Sequence, residues 1–323
     1  AGSTVTVHGN LYSENIGVYI TDEWGARISS TVTVNGFIQA AARANSSYVY
    51  FATDDIGMIF EDGLLDDPVM IGYRKYNNAS GVVYVSKFGG GTGTTADPYI
   101  INHSHQLYNV RENLADNFQL GNDIDMTYFV PDNGWMPIGR QARQFSGIFD
   151  GNNKIISNLK IQRETLAVTP RYLGLFAYTS TTAQIKDMSL TNVNIRGWDN
   201  IGSVVGYNNG HVLNVNASVT LNCTDDLGGL VGYNKGTIEN SYATGTLTNG
   251  TFFAGGIAGH NDGTIRNSYF RGTVNGDEYN GGLVGYNRGS VYDSYAEITV
   301  NGYWRTAGLV GYNMGLVKDS YST

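Results

Sequence analysis

A chain of 323 residues is long enough for two domains, and a composition 41% hydrophobic and 12% aromatic excludes disorder. Charged residues make up 15% and the formal net charge is −8, so the clustered Lys and Arg that nucleic acid or an anionic membrane surface would need are absent. No apolar run approaches the roughly 18 to 20 residues that cross a bilayer, and neither nucleic acid nor membrane insertion is expected.

The unusual numbers are 43 Gly, 23 Tyr and 5 Pro, with Asn, Ser and Thr filling the polar positions. Cys223 is the single cysteine, so no intrachain disulfide forms and a buried free thiol is expected. The sequence starts at Ala1 without methionine, which fits a removed secretory signal and fits a trimmed chain equally well.

In chain order, residues 1–88 have strand character, with VTV, VYI, YVYF and VVYVSKF runs separated by turn-forming residues. STVTVHG at Ser3 recurs as STVTVNG at Ser30, 27 residues on. A small N-terminal β domain, sandwich-like, is the expectation. GGGTGTT at 89–95 reads as a flexible joint. Residues 89–149 form a linker and capping segment, with a short helix near Gln106 to Ala115 covering the first rung of the C-terminal repeats.

Residues 150–323 repeat with a period of 26 to 29. Five strong copies centre on Gly206, Gly232, Gly259, Gly285 and Gly311. Weaker copies place Ala177 and, in GIFDGNN, Asp150 at the same point, which makes about seven turns. Such a period indicates a solenoid, propeller or array. Aligned on the central glycine, three aliphatic positions recur. They are Val204, Leu230, Ile257, Leu283 and Leu309, then Val212, Ile238, Ile265, Val291 and Val317, and then Leu221, Leu247, Val274 and Val300. Three inward strand faces per rung define an all-β fold, a β-helix or β-solenoid.

Polar positions stack as well. Asn152, Asn208, Asn234, Asn261, Asn287 and Asn313 share one place, following Tyr207, Tyr233, His260, Tyr286 and Tyr312 in the strong copies. Asparagine tolerates left-handed turns and can bond to its equivalent one rung away, so this ladder has a structural cause. Tyr242, Tyr269, Tyr295 and Tyr321 recur in NSY or DSY steps, and Thr220, Thr246, Thr273 and Thr299 form an outward ladder.

The GLVGYNxGxIxNSYAxGxV pattern, carried by GLVGYNKGTIENSYATGTL and GLVGYNRGSVYDSYAEITV, resembles the GLUG-motif repeat of bacterial and archaeal surface proteins. The stretch from GGGTGTTADPYII through NDIDM and WMPIG to FSGIFDGNNKIISNL resembles the segment that usually precedes such repeats. Together they cover 89–323. The resemblance implies an extracellular β-helical module of adhesins and cell-envelope proteins and transfers no catalytic residue.

Function has three readings. The first is a self-assembling envelope protein, a sheath, surface layer or filament whose partner is itself, joined by strand addition. Its candidate contacts are Ser3, Thr4, Val5, Thr6 and Val7 as a donor strand and Asp319, Ser320 and Tyr321 at the last rung. The tubular sheaths of some methanogenic archaea suit these properties by analogy. The second is an adhesin whose recurring tyrosines hold surface glycans. The third, a polysaccharide-cleaving enzyme, needs carboxylates gathered on neighbouring strands. The variable position three after the central glycine carries Asn209, Lys235, Asp262, Arg288 and Met314, with no single chemistry concentrated there. No HExxH motif occurs, and the His103-x-His105 pair reads as helix-start chemistry rather than a metal site. No cofactor is expected. Calcium is the cation that the acidic pairs Asp123 and Asp125, Asp225 and Asp226, or Asp277 and Glu278 could hold.

Overall fold

The computed structural model describes residues 4–7, 11–13, 16–20, 30–34, 38–40, 47–51, 73–78, 81–127, 134–163, 171–249 and 251–323. Two compact units emerge, one of residues 1–91 and 100–109, the other of residues 92–99 and 110–323.

In the first unit, Thr4–Val7 pairs with Ser30–Val34, Leu11–Ser13 with Ile38–Ala40, and Ile16–Ile20 with Ser47–Phe51. All three pairings are parallel. Thr4 stands opposite Thr31 and Val7 opposite Val34, so the repeated STVTV segments lie directly on one another. The N-terminal region is β as expected, and these described strands stack in parallel. Only the pairing of Tyr73–Asn78 with Gly81–Ser86 runs antiparallel among the described strands of this unit. The predicted helix is shorter than the sequence suggests and spans Ser104–Asn109. His103 and Ser104 open it, and the Gln106 Oε1 accepts from the Asn102 N–H at 2.8 Å.

The second unit is a parallel β-solenoid of some nine turns, and about 60% of the described residues are in strands. One aliphatic or aromatic column runs through Phe118, Phe149, Ile185, Val212, Ile238, Ile265, Val291 and Val317, each paired in register with the next. The repeat period alone predicts seven turns. The additional ones lie upstream, where Phe118, Phe149 and Ile185 are separated by 31 and 36 residues and the short period dissolves. The GGGTGTT stretch is not a free joint, because the Thr92 N–H donates to the Asp97 carbonyl at 3.0 Å and the Asn117 N–H to the Gly93 carbonyl at 2.8 Å.

The expected inward columns are buried up to the last rung, where Val300, Leu309 and Val317 are half-buried. Val204, Leu230, Ile257 and Leu283 have no exposed surface, and neither do Val212, Ile238, Ile265, Val291, Leu247 and Val274. The second wall of the coil is a six-stranded parallel sheet of Phe176–Tyr178, Val205–Asn208, Val231–Asn234, Ala258–Asn261, Val284–Asn287 and Val310–Asn313.

A strand such as His211–Cys223 shows how the chain keeps its apolar side chains inside while bending. Val215, Ala217, Val219, Leu221 and Cys223 alternate inward as period-two strand residues do, and Val212 is also buried. Between them Asn214 takes a φ of 53°. That left-handed residue shifts the phase, so inward positions on both sides meet the same core. Asp187, Asn240, Asn267, Asp293 and Asp319 do the same in their rungs.

The central glycine has a different cause. A Cβ on Gly232 would lie 2.5 Å from the Asn200 backbone carbon, and one on Gly285 would lie 2.8 Å from the Ala254 nitrogen. The strand carrying it packs against the backbone of a neighbouring corner, leaving no room for a side chain.

Candidate functional site

Two aromatic ladders and three polar ladders, of Asn, Ser and Thr, run along the coil. In the buried polar one, Asn208 Nδ2 donates to Asn234 Oδ1, Asn234 to Asn261 and Asn261 to Asn287, each at 2.8 Å, and Asn287 to Asn313 at 2.7 Å. Each amide also donates to the carbonyl two residues on, as Asn208 does to Gly210 at 3.2 Å. Asn208, Asn234, Asn261 and Asn287 are at most 1% exposed. A buried amide is tolerated because both ends are satisfied along a continuous chain.

Asn152 does not belong to this ladder. Asp150 pairs with Lys186, which pairs with Leu213, seven residues past the central glycine. GIFDGNN therefore occupies the next strand of the turn, and its resemblance to GYNNG is a coincidence of Gly and Asn. Asn152 sits at a φ of 49° and bonds to the Leu120 carbonyl at 3.2 Å. The ladder begins with Thr179, whose Oγ1 donates to Asn208 Oδ1 at 2.8 Å. In the turn before, the bridge from Ile138 to Phe176 puts Gly139 of WMPIG at the central position.

Tyr207, Tyr233, Tyr286 and Tyr312 stand where expected, in a row that starts at Tyr178. Ring centroids are 4.4 Å apart from Tyr178 to Tyr207, 4.8 Å to Tyr233, 4.1 Å to His260, 4.7 Å to Tyr286 and 5.3 Å to Tyr312. His260 interrupts the phenols and brings its own partner, since Asp262 Oδ1 lies 3.1 Å from Nε2. Asp262 also accepts from the Tyr233 hydroxyl at 2.7 Å and faces Arg288 Nε at 3.7 Å. Burial lowers the pKa of His260 despite that carboxylate, which favours the neutral imidazole. The cluster satisfies a polar ring inserted into an aromatic stack.

The NSY corner carries a second aromatic row and a serine ladder that sequence reasoning misses. Tyr242, Tyr269, Tyr295 and Tyr321 stack at 4.7, 4.8 and 5.3 Å with interplanar angles of 5° to 8°. Ser268 Oγ accepts from the Ser241 N–H, Ser294 from Ser268 and Ser320 from Ser294, at 3.1 to 3.2 Å. Its signal is the recurring Ser before each Tyr in NSY and DSY. Thr220, Thr246, Thr273 and Thr299 are in register in the outward ladder.

The proposed assembly contacts are in place within the chain. Thr4, Thr6 and their neighbours Val5 and Val7 form the edge strand of a four-stranded sheet, while Ser3 lies outside the described residues. Asp319 is the left-handed corner residue at a φ of 51°, Ser320 accepts from Ser294, and Tyr321 stacks on Tyr295. Cys223 is buried, and burial pushes its thiol pKa far above the ordinary range. Among the described residues, no group of three or more His, Cys, Asp or Glu stands ready to hold a metal ion.

Known proteins share parts of this architecture. The GLUG motif is matched at residues 226–248 and 254–275. The chain is 34% identical over 141 residues to a protein of Evansella cellulosilytica provisionally named a Gly-rich membrane protein, covering 42% of this chain and 16% of that one. It is 33% identical over 139 residues to Halomucin of Haloquadratum walsbyi, covering 41% of this chain and 2% of Halomucin. The chain thus spans a small part of the length of either relative. A crystal structure from Bacteroides ovatus, provisionally assigned as an immunoglobulin A1 protease, overlays with a TM-score of 0.48 and 22% identity, covering 74% of this chain and 87% of that one.

Proposed function

We propose that this GLUG-repeat chain is an architectural, non-catalytic stretch of a cell-surface protein, and that copies join one another through the edges of their rungs. The observation that carries the reading is that the same ladders pass in register from one turn to the next. Val205, Val231, Ala258, Val284 and Val310 stand on one another, and so do Tyr242, Tyr269, Tyr295 and Tyr321. Rungs built this way are interchangeable in register. A rung edge of one copy therefore offers the backbone and side-chain pattern that a rung of a second copy already carries. The names of the relatives, a membrane protein and Halomucin, support a surface location.

The side chains are spent on the coil itself. The amides, serines and phenols that could have formed a binding or reacting constellation bond or stack along its axis, which suits mechanical continuity. Negative-stain electron microscopy, with light scattering across a concentration series, tests the assembly reading. Filaments, hoops or sheets are expected. A persistent 35.0 kDa monomer would overturn assembly and leave a singly displayed rod, to be examined on glycan arrays.

A further inference from the structure

One corner of the coil carries side chains that no ladder uses. Successive loops stack there in register. Glu278 pairs with Trp304, and the Glu278 N–H donates to the Thr251 carbonyl at 3.2 Å, which in a parallel pair sets Phe252 opposite Glu278. The column that follows, Phe253, Tyr279 and Arg305, turns onto the tyrosine row. Phe253 lies 5.0 Å from Tyr286, Tyr279 5.7 Å from Tyr312 and the Arg305 guanidinium 5.1 Å from Tyr312. One residue earlier the chain faces the other way, and Phe252 and Trp304 are 40% and 52% exposed.

The rings of this corner form one connected surface. Phe252 is 6.0 Å from Phe253, Phe253 is 5.0 Å from Tyr279 and Tyr279 is 6.5 Å from Trp304, centroid to centroid. Tyr303, next to Trp304 in the chain, is 91% exposed. Phe252 and Trp304 stand two strand spacings apart, about 9.6 Å, with Glu278 between them and Asp277 preceding it. Among the described residues, no hydrogen bond or ion pair engages the Asp277 or Glu278 carboxylate or the Tyr303 hydroxyl. The row of Tyr242, Tyr269, Tyr295 and Tyr321 differs, since its rings face one another at 4.7 to 5.3 Å.

We infer that this corner, with Phe252, Glu278 and Trp304 as its outward column and Asp277 and Tyr303 beside it, binds a neutral polysaccharide lying along the coil axis. A pyranose has an apolar C–H face and a rim of hydroxyls. Exposed, connected aromatic rings take the first, while carboxylates and a phenol accept hydrogen bonds from the second. Charge then selects among glycans. The Arg305 guanidinium is held 4.5 Å from the Trp304 ring and 4.8 Å from the Tyr279 ring, and it donates to the Tyr279 hydroxyl. Asp277 and Glu278 therefore set the outward charge of these loops, and a uronate or sulfated chain is repelled. An isologous contact with a second copy is disfavoured for the same reason, because it opposes Asp277 and Glu278 to their own equivalents. The site is separate from the rung edges, so it stands whether or not copies assemble.

The test is isothermal titration calorimetry of the 323-residue chain with three neutral probes, cellohexaose, mannohexaose and N-acetylchitohexaose, and with anionic hexagalacturonate. Saturable binding of at least one neutral probe is expected, and none of hexagalacturonate. Trp304→Ala and Phe252→Ala should each weaken binding at least about fivefold, and Glu278→Gln about threefold. Met136→Ala, which removes an exposed apolar side chain on another turn, should leave it unchanged. Circular dichroism confirms that each variant is folded, and Tyr303→Ala, at the most exposed of these rings, serves if another is not. Light scattering should give Trp304→Ala the same association state as wild type, which separates sugar binding from assembly. The inference is overturned if no neutral probe binds saturably, if hexagalacturonate binds as well, or if binding survives both Trp304→Ala and Phe252→Ala. Loss of association in Trp304→Ala would likewise overturn it and make the corner a contact between copies.

Discussion

Replacing Asn234 with alanine isolates what the buried amide ladder contributes. In the native chain Asn234 accepts from Asn208 Nδ2 and donates to Asn261 Oδ1, both at 2.8 Å, and donates to the Gly236 carbonyl at 3.2 Å. Truncation removes all three bonds. Asn208 keeps its bond to Gly210, so the loss falls mainly on the Asn261 oxygen, left buried without its donor. A net hydrogen bond is worth about 1 kcal/mol and an orphaned buried polar group costs about 1 to 3 kcal/mol, which places Asn234→Ala at roughly 3 to 5 kcal/mol. The control is Asn301→Ala. Asn301 Nδ2 donates to Asn275 Oδ1 at the same 2.8 Å, but on the outer surface where water replaces the partner. Its loss should cost about 0.5 kcal/mol. Urea unfolding followed by far-ultraviolet circular dichroism measures both, with m-values compared because repeat arrays can lose cooperativity. If the two substitutions cost the same, burial of the ladder is not what stabilises it and the reasoning fails.

Gly232→Ala should cost more than about 3 kcal/mol or prevent folding, because its Cβ would meet three backbone atoms, of Asn200, Ile201 and Gly206, at 2.5 to 2.8 Å; a midpoint within about 1 kcal/mol of wild type would show that the corner can yield. At the left-handed corner, where φ is 48°, Asn240→Gly should be nearly neutral and Asn240→Val should lose about 1 to 2 kcal/mol, read from the same urea midpoints. Cys223 should resist a thiol reagent at pH 8 until the chain unfolds, since it is 3% exposed and burial raises its pKa; labelling at the rate of a free thiol would contradict this. Asp226 and Asp199 hold protons more tightly when folded than unfolded. Their contribution is therefore fully present below the unfolded pKa and is lost as pH rises, through about 6 for Asp199. The wild-type urea midpoint should fall between pH 5 and 8, and that of Asp226→Asn should fall less.

The rungs that are legible in the sequence are those in which every level of structure repeats together. From Gly206 onward the aliphatic columns, the GYN strand and the NSY corner recur at 26 or 27 residues, and each residue aligned there meets its counterpart in the coil. Upstream the coil continues, but spacings of 31 and 36 residues admit longer corners, and the register is then set by packing that a fixed period does not encode. A fixed period therefore aligns GIFDGNN to the wrong strand and Asn152 to the wrong ladder, and it passes over Gly139 and Thr179. The recurrence of STVTV at 27 residues points to the parallel stacking of the N-terminal strands, since it matches the period of the later rungs. Alternation and turn residues alone suggest a sandwich because they do not distinguish parallel from antiparallel pairing. The acidic corner at Asp199 and Asp226 is legible only as one of several acidic pairs, since burial separates it from the others and burial is a property of the coil.

The stacking geometry also decides what the tyrosines can do. A sugar ring packs on the face of an aromatic ring, and a row of phenols along a surface suggests a platform for one. Here the rings face each other. Tyr242, Tyr269 and Tyr295 lie within 8° of parallel at 4.7 to 4.8 Å, the separation of the strands that carry them. Each interior ring is covered on both faces by its neighbours and presents an edge outward. Arg271, 4.9 Å above the Tyr269 ring and paired with Glu297 at 2.6 Å, occupies the surrounding surface. The tyrosines of this row are therefore engaged along the axis, where parallel stacking adds to each strand pair. The chemistry that varies from rung to rung is confined to positions such as Asn209, Lys235, Asp262, Arg288 and Met314 beside the ladder. A coil whose interior is fixed and whose rim is free to vary can be lengthened by whole turns without redesign, and this is the property an architectural surface repeat requires.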